Sequence, residues 1–187
     1  MAIEIPTYKV IKKEGKLELR EYAGYITASV TIEAKDYSSA TNTGFRLVAD
    51  YIFGNNIKKN KIAMTAPVLQ EGKDVSEKIA MTAPVTTIQQ KNVYTISFVM
   101  PKQYSIETLP VPNNKQVTLK KVPSFRSAVL TFSGFVNEKI LEEKKKKLEG
   151  WMKKNGLRST GTIQTARYDP PWTPWFLRRN EVALKLM

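Results

Sequence analysis

At 187 residues the chain is long enough to form one domain with a substantial core. Its composition, 42% hydrophobic and 25% charged, is that of an ordinary globular protein, and no run approaches the roughly 18 apolar residues that cross a bilayer. The chain has no cysteine and no histidine, which removes the usual zinc and iron–sulfur ligands and rules out Ser–His–Asp and Cys–His catalysis. Thirty basic residues against 17 acidic ones give a net charge of +13, attractive to nucleic acid, anionic membranes or small anions without choosing among them. The N-terminus lacks the basic-then-apolar pattern of a signal peptide, so a cytoplasmic location is expected.

Taken in order, Tyr8–Lys13 and Leu17–Tyr22 alternate as two strands about a turn at Glu14–Gly15. In the second, Leu17 and Leu19 alternate with Glu18, Arg20 and Tyr22, as a half-buried strand does. Tyr25–Ile32 is a third strand, rich in β-branched residues. Over Asp36–Phe53 the apolar period lengthens to three and four, with Asp36 or Ser38 able to cap the start and Gly54 closing the end, which predicts a helix. Val93–Met100 is a strand and Pro101–Asn114 a proline-punctuated loop. Val117–Val122 and Arg126–Phe132 are strands separated by Pro123. Asn137–Lys154 is a second helix, with Ile140, Leu141, Leu148, Trp151 and Met152 on one stripe and the Lys144–Lys147 run on its solvated face. Thr162–Tyr168, a turn at 169–174 and Val182–Leu186 complete the chain. Strands, helix and strands occur in each half, so the chain reads as a single α+β domain built from a duplicated unit around an antiparallel sheet or barrel.

The octapeptide KIAMTAPV occurs at Lys61–Val68 and again at Lys78–Val85, with a polar, Gly-containing connector between. Two such stretches are expected to pair as a hairpin. A period of two places Ile62, Met64, Ala66 and Val68 on one face, and Ile79, Met81, Ala83 and Val85 likewise. Both methionines then point into apolar surroundings, where the thioether packs adaptably.

The sequence resembles the SOUL haem-binding family. The resemblance is carried by LELREY (17–22), TGFRLVADYIFGNN (43–56), the KIAMTAPV segment, FSGF (132–135) and YDPPWTPWFLRRNEV (168–182), in that order and across most of the chain. It implies a distorted antiparallel β-barrel flanked by two helices with pseudo-two-fold symmetry, similar to the effector-binding domains of multidrug-sensing regulators. It also implies non-covalent binding of haem or a related porphyrin in an apolar cleft near the first helix, for buffering or transport. On that basis the ligand-binding residues are Asn42, Phe45, Arg46, Met64, Met81, Trp172, Thr173 and Arg178, with Arg46, Arg178 and Arg179 as arginines of the family motifs suited to propionates. The sequence departs from the family pattern at four of its positions. Glu21 stands where some members have a histidine, Phe45 where a methionine lines the cleft, Asn42 where an arginine lies nearby, and Thr173 where there is a lysine. Binding without histidine ligation follows, with Met, Tyr, Lys or water left for the iron.

Two rival readings share the scaffold: a hydrolase or tetrapyrrole-modifying enzyme, which needs a cleft carboxylate or tyrosine with a perturbed pKa, and an effector-sensing module, which needs a buried carboxylate amid aromatics. A monomer with a tetrapyrrole as its partner, no nucleic acid and no membrane span is expected.

Overall fold

The alternating segments pair largely where their patterns place them. The computed structural model describes residues 3–58 and 75–187, and in it β1 (Tyr8–Glu14) and β2 (Leu17–Tyr22) form a hairpin whose turn holds Gly15 at φ 60°. Then come β3 (Tyr25–Glu33), α1 (Tyr37–Ile52), β4 (Asn56–Ile57), β5 (Val85–Gln90), β6 (Val93–Val99), β7 (Val111–Pro112) and β8 (Thr118–Val122). They are followed by β9 (Phe125–Phe132), α2 (Glu138–Lys154), β10 (Ser159–Arg167), a 3-10 turn at Trp175–Leu177 and β11 (Asn180–Leu186). Nine of the strands form one curled antiparallel sheet in the order β1-β2-β9-β11-β10-β5-β6-β3-β8, and β4 pairs with β7 across the otherwise irregular 101–114 segment.

The order from β2 to β8 is a palindrome about the β10–β5 pair, which is the internal duplication made visible. In each half, one strand leads into a helix that packs back on that strand and on its neighbour: α1 on β3 and β6, α2 on β9 and β11. The halves also exchange strands. β2 runs on into β3 but pairs with β9, while β8 runs on into β9 but pairs with β3. Partner numbers have one constant sum from Leu17↔Leu130 through Tyr22↔Phe125 and Tyr25↔Val122 to Ser29↔Thr118, so one unbroken register crosses the bends at Ala23–Gly24 and Pro123–Ser124. This long bent ladder curls the sheet toward a barrel.

Both helices are capped by side chains, Asp36 Oδ1 accepting from Ser39 N at 2.8 Å and Asn137 Oδ1 from Ile140 N at 2.9 Å. The stripes face the sheet as their periodicity requires. Ala40, Gly44, Val48, Tyr51 and Ile52 are buried on α1, and Leu141, Leu148, Trp151 and Met152 on α2. Together with Ala28, Val30, Ile96, Phe98, Leu130, Val182 and Leu184 they form the core between helices and sheet.

The second octapeptide corrects the expectation of a strand over Lys78–Val85. Only Val85 belongs to a strand, and its partners are Phe98 of β6 and Arg167 of β10. Residues Lys78–Pro84 run as irregular chain, tied down by Ile79 N donating to Ile52 O at 2.9 Å and by an isolated bridge between Thr82 and Glu4. Without a regular pleat the period of two fails. Ile79 and Ala83 are buried, but Thr82 also turns inward, its hydroxyl donating to Val99 O, and Met81 is 40% exposed rather than packed inside. The first copy, with Met64, lies outside the described residues.

α1 lies close against the sheet at Gly44, where an added Cβ would sit 2.6 Å from Ile96 Cγ1 and 2.8 Å from its Cβ. A β-branched side chain cannot swing its own Cβ aside. Gly44→Ala is therefore expected to destabilise the fold by about 1–3 kcal/mol of overpacking, less the ~1 kcal/mol that alanine gains in a helix. A thermal melt that rose instead of falling would show that helix and sheet can part without cost.

Candidate functional site

The outer face of α1 carries Asn42, Phe45 and Arg46, all exposed. Phe45 is only partly covered, its ring tilted against buried Phe98 at 5.3 Å. Phe53, the residue that caps the C-terminal end of α1, is 56% exposed. Met81 lies on the 78–84 stretch that Ile79 ties to the end of α1. Phe98 faces Val85 across the sheet, and Val85 faces Arg167, the last residue of β10. Cross-strand partners share a face, so the floor beyond Phe45 extends over two strand spacings, about 10 Å, to Arg167. Neither Arg46 nor Arg167 has an ion pair among the described residues.

Beyond Arg167 begins the turn that carries Trp172, Thr173 and Arg178. Trp172 stands 82% exposed and Thr173 is half-buried. Arg178 is occupied within the turn, Nε donating to Thr173 O at 2.8 Å and Nη2 to Pro171 O at 2.6 Å. The three proline rings and this clamp fix the turn's shape, so Arg178 acts first on the loop that bears it. The α1 residues and the turn residues thus occupy one end of the sheet, flanking the Phe98–Val85–Arg167 floor. They do not converge on a single closed cavity.

Sequence reasoning missed the charged cluster on the opposite face of the sheet. Arg20 is 1% and Glu181 2% exposed, and they are joined by two hydrogen bonds of 3.0 Å each. Arg20 Nε also donates to Glu18 at 2.7 Å, Arg179 Nη2 to Glu181 at 2.6 Å, and Tyr168 Oη to Glu181 at 2.8 Å. Tyr8 and Tyr168 cover the two guanidinium groups at 4.3 and 4.0 Å. Burial works against the charge on Glu181, but Arg20 and then Arg179 outweigh it and hold the carboxyl below its ordinary range. Burial likewise opposes the charge on Arg20, and Glu181 more than offsets it, raising that pKa. Burial pushes the Tyr22 hydroxyl up to about 12. The signal available in the sequence was the presence of charged pairs in both LELREY and RRNE, which only the fold brings together.

Two clefts accompany these features. On the charged face, Tyr22, Tyr25, Phe125, Tyr168 and Glu181 line a crevice of about 30 Å³, room for a water molecule or two. On the helix side, a cleft of about 350 Å³ lies between the first turns of α2 and strands β5 and β10. Leu141 and Ile163 are its only apolar lining, beside Lys91, Glu138, Glu142 and Lys145, so its walls suit polar groups better than an apolar disc. Beneath it, Tyr94 Oη lies 3.4 Å from Glu138 Oε1 and accepts from Gln89 at 3.1 Å. The buried Tyr37 hydroxyl has no hydrogen bond of good geometry, and Thr165 and Thr87 are the polar groups beside it.

A curled antiparallel sheet made of two helix-backed halves places the chain in a recognisable structural class. The C-terminal domain of EcmrR superposes with a TM-score of 0.65 at 14% identity, covering 96% of this chain and 98% of that domain, and a hydrolase from Listeria innocua gives 0.59 at 11%, covering 95% and 94%. At such identities the likeness is one of fold alone. The family is set by sequence: the SOUL heme-binding protein model matches residues 3–185, and the chain belongs to that family. Human Heme-binding protein 2 is 29% identical, over 98% of this chain and 86% of its own length, and the mouse protein of that name is 25% identical over 98% and 90%. Heme-binding protein 1 of Xenopus laevis is 27% identical over 91% and 84%.

Glu181→Gln takes the bidentate counter-charge from buried Arg20, leaving it only Glu18, and from half-exposed Arg179, and is expected to cost about 3–5 kcal/mol at neutral pH. In the native protein this stabilisation is complete above the ordinary carboxylate pKa of 4.5 and fades as acid drives Glu181 down through its lower folded-state value. Melting temperature against pH should therefore fall more steeply below pH 4.5 in the native protein than in Glu181→Gln. Parallel curves would show that the pair contributes no acid-dependent stability.

Proposed function

We propose that this protein binds haem or a related tetrapyrrole non-covalently and without histidine ligation, as a buffering or carrier protein. Membership of the SOUL family over nearly the whole chain is the observation that carries this reading. The fit of the residues supports it where the structure is open. A crevice of about 30 Å³ on the charged face is too small for a macrocycle and the cleft of about 350 Å³ beside α2 is mostly polar, which favours the outer face of α1 for the ligand. There Phe45 and Phe53 offer apolar contact to a flat ring, and Met81 extends that surface beyond the helix end. Arg46 and Arg167, without ion pairs among the described residues, are free to meet propionates, which planar guanidinium groups bind bidentately. Asn42 adds a hydrogen-bonding edge, Trp172 and Thr173 stand at the far side of the floor, and Arg178 holds their turn in place. Met64 belongs to the same proposed set by its place in the repeat.

With no histidine or cysteine in the chain, iron gains at most a thioether, phenolate, amine or water. Affinity then comes chiefly from the ring face and the propionates. Iron-free porphyrin is accordingly expected to bind within about tenfold of haem, or ~1.4 kcal/mol. Absorbance and tryptophan-quenching titrations with both ligands decide the matter, and a much larger preference for haem would reveal an iron ligand.

In the same titrations Phe45→Ala should weaken both ligands by about tenfold or more, and Arg46→Gln should weaken each by a smaller factor that shrinks with salt. Absence of any Soret change on adding haem to the native protein would sink the reading.

The rival readings lack an equivalent observation. A hydrolytic base in a dry site needs a free buried carboxylate, and among the described residues the two buried ones are consumed, Glu18 by Lys13 and Arg20 and Glu181 by Arg20, Arg179 and Tyr168. A sensor of cationic effectors needs an unbalanced buried negative charge, and the same two arginines cancel it.

A further inference from the structure

The turn after β10 displays a set of large apolar side chains that the core does not use. Trp172, Trp175, Phe176 and Leu177 are 82, 53, 59 and 64% exposed, and Phe135, from the loop after β9, is 59% exposed. Phe135 stacks on Trp175 with centroids 5.8 Å apart, and Trp175 meets Phe176 edge-on at 5.7 Å. This exposure is built into the backbone. Trp175 O accepts from Gly134 N at 3.0 Å, Asn180 Nδ2 donates to Gly134 O at 3.0 Å, and Arg178 clamps the carbonyls of Pro171 and Thr173. The two loops are thereby locked to each other, with their aromatic rings outward. A fixed apolar tip of this size on a soluble domain marks an interaction surface.

The surroundings indicate what it meets. Phe135 leads directly into α2, whose sequence holds seven lysines against four glutamates, and the whole chain carries +13. Tryptophan and phenylalanine settle at the boundary between headgroups and acyl chains, and lysine adds attraction to anionic headgroups. Stable attachment to a bilayer needs two such signals together, and both are present on adjoining elements. A protruding tip, unlike a groove, inserts into a surface and does not enclose a ligand. Among the described residues no helix is long and apolar enough to cross a membrane, so the contact is with the surface.

We infer that the Phe135–Trp175–Phe176 tip docks this protein peripherally on anionic lipid bilayers, with the lysines of α2 supplying the electrostatic attraction. The test is co-sedimentation of the full chain with phosphatidylcholine vesicles, with and without phosphatidylserine, at about 0.1 M salt. Binding is expected only to the anionic vesicles, with a blue shift of tryptophan emission and quenching by lipids brominated near the headgroup. Trp175→Ser combined with Phe176→Ser should weaken binding at least tenfold while leaving the melting temperature within a few degrees, since neither ring is buried. Failure of the native protein to sediment with anionic vesicles overturns the inference. So does binding that the double substitution leaves unchanged, which would be adsorption by charge alone. Self-association abolished by the same substitution, with no vesicle binding, would assign the tip to a second copy of the chain.

Discussion

The buried ion pair between Arg20 and Glu181 is the constraint on which the rest of the molecule depends. Arg20 lies on β2, from the first half of the chain, and Glu181 on β11, from the second, with β9 between them in the sheet. Such a pair is tolerable only if every remaining donor and acceptor is met, because the cost of desolvating two charges otherwise exceeds their attraction. Here Glu18, Tyr22, Tyr168 and Arg179 complete the set. Glu18 and Tyr22 flank Arg20 on β2, while Tyr168 and Arg179 come from the two ends of the turn before β11. The cluster can form only when the two halves are docked in one register, so it favours that register over neighbouring ones.

The same cluster underlies both proposed surfaces. Tyr168 and Arg179 flank the proline-rich turn, and both end on Glu181. Their backbones are joined by Tyr168 N donating to Arg179 O at 3.2 Å, which draws the two ends of the turn together. Arg178 then sets the shape between those ends. The floor that leads from Phe45 to Arg167 and the aromatic tip beyond it are consequently held by one charged anchor on the far side of the sheet. Rigid support of this kind allows a loop to keep large apolar groups in water without collapsing them onto the core.

The helices were legible because their apolar stripes, caps and terminal glycines all agreed, and most strand limits followed within a few residues from alternation alone. Three features were not. The second KIAMTAPV has the residue types of a strand, yet Thr82 and Pro84 are bound to tertiary partners and surroundings that no local pattern encodes, so Met81 faces outward. Alternation with Leu17 and Leu19 puts Glu18 and Arg20 on the uncovered side of a half-buried strand. In fact both sides are covered, and the partner that lets Arg20 stay charged there, Glu181, lies 161 residues away in the sequence. On α1, Gly44 and Phe45 both fit the apolar period between Ala40 and Val48, so spacing alone does not say which faces the sheet. The close approach to Ile96 makes that choice, and it leaves Phe45 outside, available to a ligand.

The exchange of strands between the halves has a kinetic consequence. Because β2 completes the second half and β8 the first, neither strand–helix–strand unit has a full sheet of its own, for all its resemblance to a self-sufficient module. The ladder that binds Leu17–Ser29 to Thr118–Leu130 closes a loop spanning most of the intervening chain, and the entropy of that closure must be met before its contacts give any return. The duplication therefore does not confer independent folding units. The two halves assemble as a single cooperative structure, at a pace set by their mutual encounter.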